Sequence, residues 1–401
     1  VMYVLLVLFH LSQIYLGYIG IEDYYCIFSR VKFESCQKAF TFAFVCIHVM
    51  MISFFLFYRA HEKKTETNTC VSISSVEKKL IKYVFFLFYF IKCIIRVYWF
   101  YIGTQIGYIS LLRTMSSLPS MIITAADVFS IIYLRYCCKG KRRLNVLRFI
   151  IVLEVVYMAS GSRIAGVTYI LLLLLFVPFR VKETKKYSLG YKLAMFCGVL
   201  LMAFLLPAVS ANRLSSSATS TFSMQYLKNS SVVNSIIKEF GMTILNTTVA
   251  IDNKQSIDFL HGLSYYGGLI TLIPNINGFF DGFMEKCFYN NQLLNFFYYA
   301  YGGSNIGEAY INFGGYGWLV FIPVGVLMGK IEDILDMLQT RKLVIQLVIV
   351  TIVFECITWI RSYFFLIIRL PIWLAIFWLL IVALLKGGNR VVIQGKIKKK
   401  N

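Results

Sequence analysis

The chain has 401 residues, of which 59% are hydrophobic and only 15% charged. A soluble protein of this length carries more charge, and apolar runs long enough to cross a bilayer recur along it, so it reads as an all-α polytopic membrane protein. The net charge of +21 sits in short loops between apolar runs, the positive-inside pattern rather than a nucleic-acid footprint, and the scattered cysteines form no CxxC pair, which speaks against a disulfide scaffold or zinc site.

In chain order, Met2 to about Gly20 is the first span, read as a spanning helix rather than a cleavable signal. A mixed-charge loop leads to a second span, about Ala39 to Tyr58. A basic loop with Lys63, Lys64, Lys78, Lys79 and Lys82 precedes the third, Val84 to about Ile102. The fourth runs from about Leu118 to Leu134, and Arg135, Lys139, Lys141, Arg142 and Arg143 follow it. The next apolar stretch, Val146 to Phe179, is too long for one span and is broken at Ser160-Gly161-Ser162-Arg163. Two short helices with Arg163 at an outer turn return the following cations to the cytoplasm, so this stretch counts as spans five and six. Gly190 to about Val209 is the seventh.

Residues 210–303 form the one long polar loop, with cations and acids in balance and therefore assigned to the outer face. Inside it, Val232 to Ile251 has helical apolar spacing and is expected to lie along the membrane surface. Phe259 to Pro274 is apolar and punctuated by glycine; it fits a re-entrant segment covered by protein or by a water cavity. The eighth span is expected from about Ile306 to Gly329, the ninth from Leu343 to Ile360 and the tenth from Phe364 to Leu385, before a basic tail. This gives about ten spans with both termini cytoplasmic, in three parts: helices 1–7 in residues 1–209, the loop 210–303, and helices 8–10 with the tail in residues 304–401. The two halves differ in loop size, so no transporter-like repeat is visible.

An ionisable group inside a span costs about 2.5–3.5 kcal/mol on insertion scales, so each needs a reason. Lys92 and Arg96 share one face of the third span; Asp127, Glu154, Glu355 and Arg369 are further cases. Two readings stand side by side. Arg96, Arg163 and Arg213, with Lys92, could hold a diphosphate, because a guanidinium forms paired, charge-assisted bonds to phosphate oxygens. Lys92 or Arg96 could instead pair with Asp127 or Glu154. Glu308 stands where loop becomes helix, among glycines at 302, 303, 307, 314, 315 and 317 that permit close approach; Gly307, Gly314 and Gly317 could equally be helix-packing contacts. His261, the one histidine in the long loop, is a candidate base or a polar surface residue. Tyr265 and its neighbours could stack on sugar rings or sit in an interfacial belt. No Walker loop, dinucleotide fingerprint, HExxH or GxSxG motif is present, so neither a metal nor another cofactor is expected.

Three stretches together resemble the Wzy-type polymerases of O-antigen and capsule repeat units: Ser160-Gly161-Ser162-Arg163; Gly262-Leu263-Ser264-Tyr265 with Leu272-Ile273-Pro274; and Gly307-Glu308-Ala309-Tyr310-Ile311-Asn312-Phe313-Gly314 with Gly317. The resemblance covers roughly Leu147 to Gly329. It implies a bacterial inner-membrane glycosyltransferase that moves a glycan from undecaprenyl diphosphate, as a block, onto another lipid-linked repeat unit. Arg163 and Arg213 would meet the diphosphate, Glu308 or His261 would take the acceptor proton, and Tyr265, Tyr310 and Asn312 would contact sugar. Membrane lipids, a chain-length regulator and a flippase of the same pathway are the implied partners. A flippase or other transporter, an O-antigen ligase, and a channel or sensor are the rival readings.

Overall fold

The computed structural model describes residues 2–14, 31–58, 73–106, 117–159, 240–273, 279–293, 303–336 and 341–398, together with 296 and isolated positions within 166–173 and 234–237. Every element among them is helical: α1 (Met2–His10), α2 (Phe33–Phe57), α3 (Ser75–Ile106), α4 (Ser117–Tyr136), α5 (Gly140–Ala159), α6 (Ile244–Asp252), α7 (Leu263–Ile270), α8 (Phe283–Cys287), α9 (Asn305–Phe313), α10 (Phe321–Asp336), α11 (Leu343–Trp359) and α12 (Phe365–Lys398). Two 3-10 turns, Tyr289–Leu293 and Gly314–Val320, join them.

Three described segments are long and apolar enough to cross a membrane: Phe33–Phe57, Leu118–Tyr136 and Phe365–Leu384; α11, at 17 residues, is a shorter apolar helix. Helix α3 supports the same conclusion by its polarity. It starts with a capping box, in which the Ser74 hydroxyl accepts the Glu77 N–H at 3.1 Å and the Glu77 carboxylate accepts the Ser74 N–H at 3.0 Å. Beyond that start, Phe86, Leu87, Phe90, Ile94, Val97 and Tyr101 are exposed while Lys92 and Arg96 are buried. A helix that hides its cations and shows its aromatics faces lipid, not water.

Two cores divide the molecule. One gathers α3, α4, α5 and the middle of α11 and α12 around Phe129, Tyr133, Leu347 and Trp378. The other gathers α1, α2, α6, α9 and α10 around Ile47, Ile306, Phe321 and Trp359. The second depends on a close crossing of α2 and α10. A Cβ on Gly325 would sit 2.3 Å from the Met50 carbonyl oxygen, and one on Gly329 would sit 3.2 Å from that of Phe54. Small residues four apart let the two backbones meet.

Two expectations change. The span expected from Ile306 to Gly329 is not one helix, because Gly314 takes φ +57° and ends α9. The chain then folds as a 3-10 turn over that helix, with Gly317 so close that a Cβ would lie 2.4 Å from the Ala309 carbonyl oxygen. The segment expected on the membrane surface supplies α6, and Ile244 to Ala250 of that helix are all buried. It packs between α2 and α9, and Asn246, Thr247 and Thr248 are buried with its apolar residues. The segment expected to re-enter contains α7, which rests on α12 and α9.

Candidate functional site

Helix α9 carries the site, and its start is fixed from three directions. Ser304 is the N-cap; its hydroxyl accepts the Gly307 N–H at 3.0 Å. Its own N–H donates to the Tyr289 hydroxyl. His10, at the end of α1, places Nε2 3.0 Å from the Ser304 hydroxyl and Nδ1 3.2 Å from the Leu6 carbonyl oxygen. A carbonyl only accepts, so the proton sits on Nδ1, and Nε2 accepts from Ser304. The preceding segment lies flat on the turn after α11: Gly303 N–H donates to the Arg361 carbonyl at 2.9 Å.

Glu308 lies in the first turn of α9, where a carboxylate suits the helix dipole, and is fully buried. Its Oε2 accepts from the Trp359 indole N–H at 2.7 Å and from the Phe364 backbone N–H at 3.1 Å. The Ser264 hydroxyl lies beside the carboxylate. These donors are neutral. Oε1 has no hydrogen-bond partner among the described residues.

Asn312, one turn further on and also fully buried, ties α9 to α7. Its Nδ2 donates to the Ser264 hydroxyl at 2.8 Å and to the Glu308 carbonyl at 2.7 Å. The loop before α7 runs alongside: Leu260 N–H donates to the Ile311 carbonyl and His261 N–H to that of Asn312, each at 3.0 Å. His261 is exposed and takes φ +46°, a left-handed backbone that non-glycine residues adopt seldom and often at functional sites.

Buried polar atoms without partners among the described residues collect here: Thr247 Oγ1, Tyr265 Oη, Asn305 Nδ2 and Oδ1, Glu308 Oε1, Asn312 Oδ1 and Ser362 Oγ. Each such atom costs about 1–3 kcal/mol if nothing meets it. So dense a set around one helix means that water or a ligand belongs among them. Burial pushes the Tyr265 and Tyr289 phenols well above their ordinary range, so both stay protonated.

The sequence-chosen residues separate accordingly. Glu308, Asn312, Tyr265 and the His261 backbone come together. Tyr265 stacks on Phe313 with ring centroids 5.9 Å apart and meets Phe364 edge-on at 5.0 Å. The Tyr310 ring is buried against Phe42 and Phe259 instead. Lys92 and Arg96 lie in the other core. Lys92 bridges Asp127 and Glu154, the latter at 2.6 Å, and Arg96 reaches Glu154 at 2.5 Å. The Arg96 guanidinium also lies 3.8 Å from the Tyr157 ring centroid. Of the two readings left open for these cations, the ion-paired one is the arrangement present. Arg163 and Arg213 lie outside the described residues.

Sequence reasoning gave no role to His10, Ser304, Asn305 and Trp359, and named Ser264 only within a motif. A signal existed for Ser304, which precedes Asn-Ile-Gly-Glu as a cap precedes a helix. Trp359 had one in principle, since a buried indole N–H requires an acceptor.

A helical membrane protein with a fully buried carboxylate, held by neutral donors on a short capped helix and surrounded by unsatisfied polar groups, is built to bring a polar substrate into an apolar setting. The family described as O-antigen polysaccharide polymerase Wzy matches residues 1–388, and the chain belongs to it. Its activity is therefore the polymerisation of O-antigen repeat units, a glycosyltransferase-type reaction on lipid-linked oligosaccharide in the inner membrane. No curated protein and no solved structure matches the chain.

Proposed function

We propose that this polymerase takes its donor as an oligosaccharide on undecaprenyl diphosphate and that Glu308 is the general base. The acceptor sugar's hydroxyl oxygen attacks the anomeric carbon of the donor. The bond from that carbon to the diphosphate oxygen breaks, its electron pair leaves with the diphosphate, and the hydroxyl proton passes to Glu308. One observation carries this reading: Glu308 is buried, its donors are all neutral, and Oε1 is unengaged. Asp127 and Glu154 each hold a cation, whereas Glu308 can accept a proton without breaking an ion pair. His261 is the second candidate, supported by its strained backbone beside α9. Lys92 and Arg96 already neutralise carboxylates, which leaves the diphosphate to Arg163 and Arg213.

The topology that suits this chemistry has about ten spans and cytoplasmic termini, with residues 210–303 facing outward beside the site. It is supported by the basic loops and by the apolar helices described above. A chain-length regulator and a flippase of the same pathway are the expected partners.

The test is genetic. A strain lacking the gene should display single repeat units, and the wild-type gene should restore long chains. Glu308→Gln and Arg163→Ala, present in the membrane at wild-type level, should not. Long chains from Glu308→Gln would end its role as base, and single units trapped on the cytoplasmic side of the deletion strain would favour a flippase.

A further inference from the structure

Asn305, Glu308 and Asn312 stand at i, i+3 and i+7 on α9 and therefore share one face. At 1.5 Å per residue they extend over about 10 Å. All three side chains are fully buried, and each presents polar atoms that meet nothing: both of Asn305's, Oε1 of Glu308 and Oδ1 of Asn312. Close by, the Tyr265 hydroxyl is buried and unpartnered, near enough to feel the Glu308 charge. Whatever belongs there must offer donors and acceptors together. A diphosphate only accepts and would face a carboxylate, and a lipid chain offers neither.

We propose that this face of α9, with the Tyr265 hydroxyl, is the subsite for the acceptor sugar, a neutral ligand rich in hydroxyls. The proposal rests on the reading of Glu308 as base. The hydroxyl that meets Glu308 Oε1 is the one activated for attack. Asn305 and Asn312, on either side of Glu308 along the helix, bind neighbouring hydroxyls and so fix which oxygen is presented. The spacing along α9 thereby selects the linkage formed.

The experiment uses the purified full-length protein in detergent, with lipid-linked repeat units extracted from the deletion strain as substrate. The repeat-unit oligosaccharide, freed from its lipid by mild acid, serves as competitor; without a diphosphate, it competes only where sugar is read. Tyr265→Phe removes one oxygen that has no partner inside the protein, and Asn305→Leu removes two such atoms while keeping the same branched heavy-atom skeleton. Each variant should need about tenfold more oligosaccharide for half-inhibition, the loss of one good hydrogen bond, while its thermal midpoint matches the wild type. Unchanged half-inhibition in both variants overturns the proposal and leaves the stripe as a water site; so does a wild type that the oligosaccharide does not inhibit. If Asn305→Leu does not fold, Tyr265→Phe decides alone. Failure of the base reading shows separately, as a Glu308→Gln protein that polymerises normally.

Discussion

Two buried polar clusters occupy the two cores of this molecule, and they are built on opposite principles. In the first, Lys92 and Arg96 meet Asp127 and Glu154, so two cations face two carboxylates and the net charge is zero. Tyr169 lies under the Lys92 ammonium at 4.5 Å and bonds the Ser130 hydroxyl, which donates to the Asp127 carbonyl at 2.6 Å. In the second, Glu308 has only neutral donors, and polar atoms around it stay unmet. Charge at membrane depth is tolerated in two ways: it is cancelled locally, or it is kept for something that arrives. A buried ionisable residue is thus poor evidence of function until its partners are known.

The comparison can be broken at its charged end first. Lys92→Met should leave two carboxylates buried without their shared cation and destabilise the protein by about 3–5 kcal/mol. The expected result is near-complete loss from membranes, read by immunoblot, and normal levels would mean that the tetrad is not structural. The frame of the second cluster comes next. Gly325→Val pushes a side chain against the α2 backbone at Met50 and should cost about 1–3 kcal/mol, seen as a lower thermal midpoint in detergent with shortened chains. Ser304→Ala removes the cap of α9 and the His10 contact together, with a loss of about 1 kcal/mol. Combined with His10→Leu, it should cost less than the sum of the two, since both changes delete one interaction. Glu308→Gln sits at the bottom for stability, because Trp359 and Phe364 can still donate to an amide oxygen; its midpoint should move least of the four while polymer disappears. A Glu308→Gln protein that lost fold and polymer together would erase the contrast between the clusters.

Much of the first cluster was legible in the sequence. Lys92 and Arg96 fall on one face by spacing alone, and Asp127 and Glu154 are the carboxylates on the following helices. What spacing could not decide was whether those cations serve each other or a ligand, since that depends on helix packing. For the second cluster, the position of Glu308 at a loop-to-helix junction was legible and its surroundings were not. Its partners come from residues 264, 359 and 364, and sequence proximity carries no trace of such contacts. The reading of residues 306–329 as one span missed because hydropathy averages over Gly314, whose backbone angle ends the helix. The placement of α6 missed for a related reason: apolar periodicity shows that a face will be buried, not against what.

The bond between His10 and Ser304 joins residues 294 positions apart. At ribosomal speeds of roughly 5–20 residues per second, the imidazole is made about 15–60 s before its partner exists. Glu308 then waits in turn for Trp359 and Phe364. Helix α1 must remain close by until the turn after α11 has been inserted, so the core that holds Glu308 is completed late. A chain cut short after α10 would hold most of the apolar mass of the second core and still have an unfinished site. Biogenesis, as much as chemistry, is therefore exposed to any change that releases α1 early.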